Sequence, residues 1–191
     1  KQNINPKQLA PWDQEFIESS NILHNLRQKY ITKLTPVFSE IITKLLNTNL
    51  KTQYYPGWDT SKSLQKQLQQ SLPRDTQWGY TSIGPQKADL RFQVNNIPAQ
   101  NILSRGQRKL LICALQLAQG LLLHQQTEKN CIYLIDDLPA ELDNKHRQQI
   151  TDVLSKINAQ AFVTGVNRED LIIDKNMQMF HVKHGEIVPD R

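Results

Sequence analysis

The sequence predicts an α/β protein whose first seventy or so residues form a mostly helical subdomain. Three observations lead there. Apolar residues in the first third recur at three- and four-residue steps, the period of a helix buried along one side. Two short apolar runs, 131–135 and 161–166, are separated by an amphipathic stretch, the pattern of strands joined by a helix. Between these regions, residues 88–94 alternate between apolar and polar, as a half-buried strand does.

Taken in order, residues 1–12 read as a polar lead-in or the end of an element. From Asp13 onward, Phe16, Ile17, Leu23, Leu26, Tyr30, Ile31 and Leu34 mark one face of a helix. Pro36 interrupts it. Thr35 is placed to cap a second helix with Pro36 at its first position. Ile41, Ile42, Leu45 and Leu46 continue the apolar face, so 13–48 is two helices or one kinked helix. Residues 53–58 read as a short strand ending in a turn. Residues 61–71 form a Gln-rich helix, polar on nearly all sides and therefore exposed.

After Pro73 the character changes. Residues 81–85 are a turn, 88–94 a strand, Asn95-Asn96 a hairpin turn, with a second strand near Ile97. A strong helix runs from Ser104 to about His124. The run 131–135 reads as a strand buried on both faces. Asp143 or Asn144 opens a helix to Ile157 through Ile150, Val153 and Leu154. Residues 161–166 read as another buried strand, and 180–188 as a closing hairpin through His184-Gly185. This order implies a largely parallel layer. The boundary between the helical subdomain, 1–75, and the α/β lobe, 76–191, falls where the pattern changes.

Composition narrows the class. Hydrophobic residues are 38% and charged residues 21% of the 191 positions, which suits a folded globular chain. No apolar run approaches the ~20 residues of a membrane helix, and the first five residues lack an apolar signal region. A cytoplasmic protein with no membrane partner is expected. The chain does not start with Met, which gives the expectation of a fragment. A net charge of +5 permits binding to a polyanion. Cys113 and Cys131 sit in apolar runs without metal-ligand spacing and are expected buried and reduced. Trp12, Trp58 and Trp78 read as packing residues rather than base-stacking platforms. His181-x-x-His184 has no third ligand in view, so no metal is assigned to it.

Three short motifs carry chemistry. In Leu103-Ser104-Arg105-Gly106-Gln107, Ser104 is an N-cap and Gln107 lies at the third helical position, forming a capping box. The free N–H groups and dipole of such an end favour an anion. Gly106 lets a phosphate approach the backbone, and Arg105, Arg108 and Lys109 add positive charge. Taken alone, this is a well-capped amphipathic helix. In Cys131-Ile132-Tyr133-Leu134-Ile135-Asp136-Asp137, a strand delivers two carboxylates at its C-terminal end, where ligands bind in α/β sheets. The first acid is placed to hold Mg²⁺ through water and the second to orient or deprotonate an attacking water. Taken alone, it is a strand running into an acidic turn. Ala140-Glu141-Leu142-Asp143 follows, and by itself it is a turn ending in a helix cap.

In this order and at this spacing, the three resemble the C-terminal half of an ABC-type ATPase head. Further residues narrow the resemblance: Gly84-Pro85-Gln86-Lys87-Ala88-Asp89-Leu90-Arg91, Leu103-Ser104-Arg105-Gly106-Gln107-Arg108-Lys109, Ala114-Leu115 with Leu117-Ala118-Gln119-Gly120, and Tyr133 to Asp143. Together with Leu9-Ala10-Pro11-Trp12-Asp13 and Gly57-Trp58, they resemble the RecF family over nearly the whole chain. The resemblance implies the C-terminal lobe of an ABC-type ATPase head with an α-rich arm. It implies an ATPase of recombinational DNA repair, replication and the SOS response, with ATP and Mg²⁺ as cofactors. Such a protein forms an ATP-dependent homodimer, binds duplex DNA near single-strand gaps and works with RecR and RecO to place RecA. On the matched motifs, Ser104, Gly106 and Gln107 would touch the γ-phosphate of ATP held by the partner subunit, with Arg105 adding charge. Asp136 would serve Mg²⁺ and Asp137 the attacking water. Asp143 would lie in the loop that crosses the dimer interface.

The chain departs from the pattern in several places. No G-x-x-x-x-G-K-[ST] stretch occurs among its seven glycines, so this chain alone is expected to be inactive in hydrolysis. No His follows Thr164 after the second apolar strand, where many ABC heads carry one. Gln86 stands where many RecF sequences have His, and Asp136-Asp137 replaces the commoner Asp-Glu. Lys87, Arg91, Arg105 and Arg108 are candidate DNA contacts, each equally readable as a solvated charge. The rival readings are an SMC-like structural head and a non-enzymatic DNA-binding or scaffold module.

Overall fold

A computed structural model describes residues 6–138, 142–157, 159–171 and 177–189. The chain divides into two compact units, residues 1–129 and 130–191.

The first unit is organised by two long helices. Helix α1 spans Pro6–Leu46 without a break, with Pro11 and Pro36 inside it. Thr35 therefore does not cap a new helix. Its hydroxyl donates to the Ile31 carbonyl at 2.7 Å, and Thr32 does the same to Gln28 at 2.9 Å. These bonds supplement the ladder beside the rung that Pro36 cannot make. Leu34, Phe38, Ile41, Ile42 and Leu45 are buried along one face of α1. That helix packs along α4, Arg105–Thr127, whose Leu110, Ala114, Leu117 and Ala118 are buried in turn.

Between them in sequence come the strands of a three-stranded antiparallel sheet, β1 (Leu50–Tyr55), β2 (Asp89–Val94) and β3 (Ile97–Pro98), with β1 and β2 in register from Leu50↔Val94 to Tyr55↔Asp89. Asn95 and Asn96 both take positive φ, 51° and 64°, as the two-residue hairpin turn demands. Phe92 of β2 meets Phe38 of α1 with ring centroids 5.4 Å apart. A single turn, α3 (Ala99–Ile102), then leads into α4.

Helix α2 spans Leu64–Trp78, longer than the sequence pattern indicates, and is not polar all round. Leu64 and Leu68 bury against Trp58, with Phe16, Ile17 and Ile83 packed alongside. The helix runs through Pro73 because that residue and Gln69, whose carbonyl loses its partner, lie on the exposed side where water can substitute. The buried Gln67 is satisfied locally: its amide donates to the Asp59 carbonyl at 2.8 Å and accepts from the Asp59 N–H at 3.1 Å.

The Gly-Trp and Gly-Pro segments are locked together. The Gly84 N–H donates to the Gly57 carbonyl at 3.2 Å, and the two glycines take φ of +135° and +103°. A Cβ on Gly57 would stand 2.0 Å from the Gly84 carbonyl oxygen. Arg27 donates to the Pro85 carbonyl at 2.8 Å, tying this junction to α1.

In the second unit, β4 (Ile132–Ile135) and β5 (Gln160–Val163) pair in parallel, Ile132↔Gln160 to Ile135↔Val163. Helix α5 (Asn144–Lys156) lies between them in sequence and buries Ile150, Val153 and Leu154. A hairpin of β6 (Phe180–Lys183) and β7 (Glu186–Pro189) follows, turned by His184 and Gly185. Among the described residues the parallel layer is thus two strands, and the other pairings are antiparallel.

The expectation that β4 and β5 are buried on both faces does not hold in this chain. Ile132 is 63% exposed, Leu134 78% and Phe162 51%. Alternate strand residues point to opposite faces, and here only the face carrying Tyr133, Ile135, Ala161 and Val163 is partly covered. The packing reading of the tryptophans holds for buried Trp58 alone; Trp12 and Trp78 are exposed. Trp78 stacks on Tyr80, with Arg74 over its ring and Lys87 over that of Tyr80. Cys113 and Cys131 are free and half-buried rather than fully buried, and desolvation raises the Cys113 thiol pKa.

Candidate functional site

The start of α4 has the geometry its sequence dictates. Ser104 is the N-cap in extended backbone, and its Oγ accepts from the Gln107 N–H at 3.2 Å. The Gln107 side chain reaches back to accept from the Ser104 N–H at 2.9 Å, completing the box. Arg105 and Gly106 occupy the first two helical positions, whose N–H groups have no partner within a helix. The Ser104 hydroxyl hydrogen is not used in accepting the cap bond and stays available to donate outward. Ser104 and Arg105 are exposed, and a Cβ built on Gly106 would meet nothing within 4 Å. The arrangement is a set of donors with positive charge beside it, which suits an anion rather than a cation.

The double acid sits at the C-terminal end of β4. Parallel pairing continues one rung beyond the strands, with the Thr164 N–H donating to the Ile135 carbonyl at 3.0 Å. The Thr164 hydroxyl donates to Asp136 Oδ1 at 2.6 Å and accepts from the Asp137 N–H at 2.8 Å. Asp137 itself takes φ +47°, a left-handed conformation that non-glycine residues adopt at a cost. Asp136 is exposed and Asp137 half-buried. With one oxygen of Asp136 engaged by Thr164, the other is left to a hard cation. That donor set fits Mg²⁺, which keeps several waters and is held by one or two carboxylates together with substrate phosphates. Among the described residues, no cluster of three or more His, Cys, Asp or Glu could hold a metal by itself.

Asp143 caps α5. Its Oδ1 accepts from the His146 N–H at 2.9 Å and lies 2.8 Å from His146 Nδ1. The backbone bond from His146 is the main cause that holds the Asp143 carboxyl below its ordinary pKa. Ala140 and Glu141 of the same motif lie outside the described residues. The structure thus sets Ser104 to Gln107 at one helix end in the first unit; in the second it brings Asp136 and Asp137 together on Thr164 and puts Asp143 at the start of α5.

Two of the four basic candidates, Arg91 and Lys87, are engaged locally. Arg91 stands over the Tyr55 ring at 4.2 Å and near Asp89 at 3.4 Å, and Lys87 lies over Tyr80. Gln86 holds the preceding turn, donating to the Thr81 and Ile83 carbonyls at 2.8 and 3.2 Å. Sequence reasoning registered Thr164 only as the residue with no His after it. The available signal was a hydroxyl residue closing the strand parallel to the one that carries the acids.

Comparison with known proteins agrees with this architecture. A family profile described as RecF/RecN/SMC N terminal domain matches residues 3–188. A protein of Cellvibrio japonicus described as DNA replication and repair protein RecF is 42% identical over 98% of this chain and 53% of its own length. One so described from Coxiella burnetii is 41% identical over 94% of this chain and 51% of its own. The chain therefore spans about half the length of the curated relatives it matches. A solved structure of the recombination mediator protein RecF-ATPrS in the RecFOR pathway superposes with a TM-score of 0.79 at 22% identity, covering 98% of this chain and 52% of that one. An SmcHead bound to the C-winged helix domain of ScpA reaches 0.53 at 15% identity, over 86% of this chain and 44% of the other. With the capped helix start, the paired acids and a profile match over nearly the whole sequence, the chain belongs to the RecF/RecN/SMC family and has the α/β fold of an ABC-type ATPase head, and its likeness within that family is to RecF.

Proposed function

We propose that this chain is the signature-bearing half of a RecF-type ATPase that acts in recombinational DNA repair. Residues 76–191 form its C-terminal ATPase lobe and residues 1–75 the arm. In this reading, the N–H groups of Arg105 and Gly106, the Ser104 hydroxyl and the Gln107 amide meet the γ-phosphate of ATP carried by a second copy. Arg105 adds positive charge where the transition state gathers negative charge. Asp136 holds Mg²⁺ through water, and the ion supplies neutralisation of phosphate charge when bound. Asp137 accepts the proton of the attacking water or fixes its direction. Asp143 lies at the dimer interface.

Because the residues at the start of α4 act on ATP carried by a second copy, turnover depends on dimerisation and becomes sensitive to whatever favours the dimer. The proposed partners are duplex DNA near single-strand gaps, RecR and RecO, with RecA placed as the outcome. The location proposed is the cytoplasm; no helix among the described residues is long and apolar enough to cross a membrane.

One observation carries the reading: two adjacent carboxylates presented at the C-terminal end of a parallel strand, where α/β sheets bind ligands. The test is ATP hydrolysis by the full-length protein with and without gapped duplex DNA, beside Ser104→Arg and Asp137→Asn. DNA-stimulated turnover lost in both variants supports it. Turnover indifferent to both variants, or DNA binding indifferent to ATP, refutes it.

A further inference from the structure

We infer that Thr164 is the positioning residue of the double acid: one hydroxyl holds the Asp136 carboxylate and the Asp137 backbone together in the geometry the acids need. The inference rests on the ATPase reading and names a residue beyond the matched motifs.

Three bonds meet at Thr164. Its N–H donates to the Ile135 carbonyl at 3.0 Å, which fixes the residue at the end of the parallel pair. Its hydroxyl has a single hydrogen and gives it to Asp136 Oδ1 at 2.6 Å. The same oxygen accepts from the Asp137 N–H at 2.8 Å. A threonine serving only as strand filler would need the first bond alone. The side-chain bonds instead span from residue 164 to both members of the acid pair.

The backbone of Asp137 gives the arrangement its purpose. In an extended strand Asp136 and Asp137 would point to opposite faces. Left-handed φ at Asp137, +47°, breaks that alternation directly after Asp136. Such a conformation persists in a non-glycine residue when its surroundings hold it. The bond from the Asp137 N–H to Thr164 is the hold that the structure provides. The charge-assisted bond to Oδ1 takes up one carboxylate oxygen of Asp136 and so fixes the direction of the other. Thr164 touches no reacting atom in this scheme and acts through the two acids.

Two substitutions at this exposed position separate the hydroxyl from the side-chain shape. Thr164→Val keeps the shape and loses the hydroxyl; Thr164→Ser keeps the hydroxyl. In the full-length protein, Thr164→Val should lower kcat for ATP at least ~10-fold while the KM for ATP stays within about twofold, because the acids act on the chemical step rather than on nucleotide binding. Thr164→Ser should return kcat to within about threefold of the parent. Amide hydrogen exchange at Asp137 should quicken about tenfold or more in the valine variant and recover in the serine variant. Unchanged kcat and unchanged Asp137 exchange in Thr164→Val would overturn the inference, as would a serine variant as impaired as the valine one. If the parent protein shows no turnover that Asp137→Asn abolishes, the ATPase reading fails. The exchange measurement then decides alone whether Thr164 holds the acid pair.

Discussion

Gly106→Ala separates what the fold requires from what a ligand requires. Gly106 occupies the second position of α4, its φ is an ordinary one, and an added Cβ would meet nothing within 4 Å. Nothing in the structure asks for glycine there. Alanine is the better helix former by about 1 kcal/mol in a helix interior, and about 0.5 kcal/mol is a fair share in the first turn. With a urea dependence of about 2 kcal/mol per molar, the denaturation midpoint should rise by roughly 0.2–0.3 M. The effect on ATP runs the other way. A phosphate oxygen at hydrogen-bond distance, about 2.9 Å from the Gly106 nitrogen, would crowd the new methyl group. Losing one charged hydrogen bond costs about 1.5–3 kcal/mol, a fall in turnover of roughly 13- to 160-fold. The assay pairs urea denaturation of this chain, followed by circular dichroism, with steady-state hydrolysis by the full-length protein. A variant that is less stable than the parent would show that Gly106 has a folding role absent from this structure. A variant that is stable and fully active would refute close approach of a phosphate at this position.

Gly57→Ala should destabilise the chain by about 4 kcal/mol or more, since the left-handed backbone alone costs about 1–2 kcal/mol and the clash with the Gly84 carbonyl adds to it. Gly79→Ala, with φ +78° and open space around it, should cost only about 1 kcal/mol in the same denaturation experiment. Leu110→Ala should cost about 3 kcal/mol because Leu110 is wholly buried, whereas Leu134→Ala should stay within about 0.5 kcal/mol in this chain. The Ser61 hydroxyl, then Lys62 and the Ser61 N–H, lower the Asp59 pKa to about 2. A depressed carboxylate stabilises the fold above its unfolded value near 4 and loses that contribution as pH falls through its folded one. Thermal melts between about pH 5 and about pH 2 should therefore show an acid limb that Asp59→Asn flattens in part.

Much of the site was legible in the sequence because its geometry is local. Ser104 and Gln107 are three residues apart, and that spacing alone specifies the capping box that the structure contains. Asp143 as the cap of α5 was legible for the same reason. The errors arise where the deciding partner is distant or absent. Pro36 signalled a break in α1, but packing of that helix against α4 and the Thr35 bond to Ile31 keep it whole. The Gln-rich segment looked polar on all sides, yet Leu64 and Leu68 find Trp58, and Gln67 is buried by bonding to Asp59. The apolar runs of β4 and β5 were assigned correctly as strands but not in burial. An apolar residue shows what it tolerates, and the covering atoms must exist in the same chain before it is buried. Thr164 was missed because its partners lie 27 and 28 residues away in sequence.

The junction of Gly57 with Gly84 also sets how this protein can change over evolutionary time. The atom that forbids a side chain at position 57 is a backbone carbonyl oxygen, which every amino acid carries. No replacement at position 84 removes it, so no partner substitution there can license a new residue at 57. Gly84 faces a different obstacle, the ring of Phe16 and the side chain of Gln86. Shortening those side chains would open space, leaving only the left-handed backbone to resist. The two positions touch each other, yet one is closed to compensation in space and the other is open to it. In a library that randomises both, glycine should persist at 57 in every folded clone, while the rare exceptions at 84 should arrive with changes at Phe16 or Gln86.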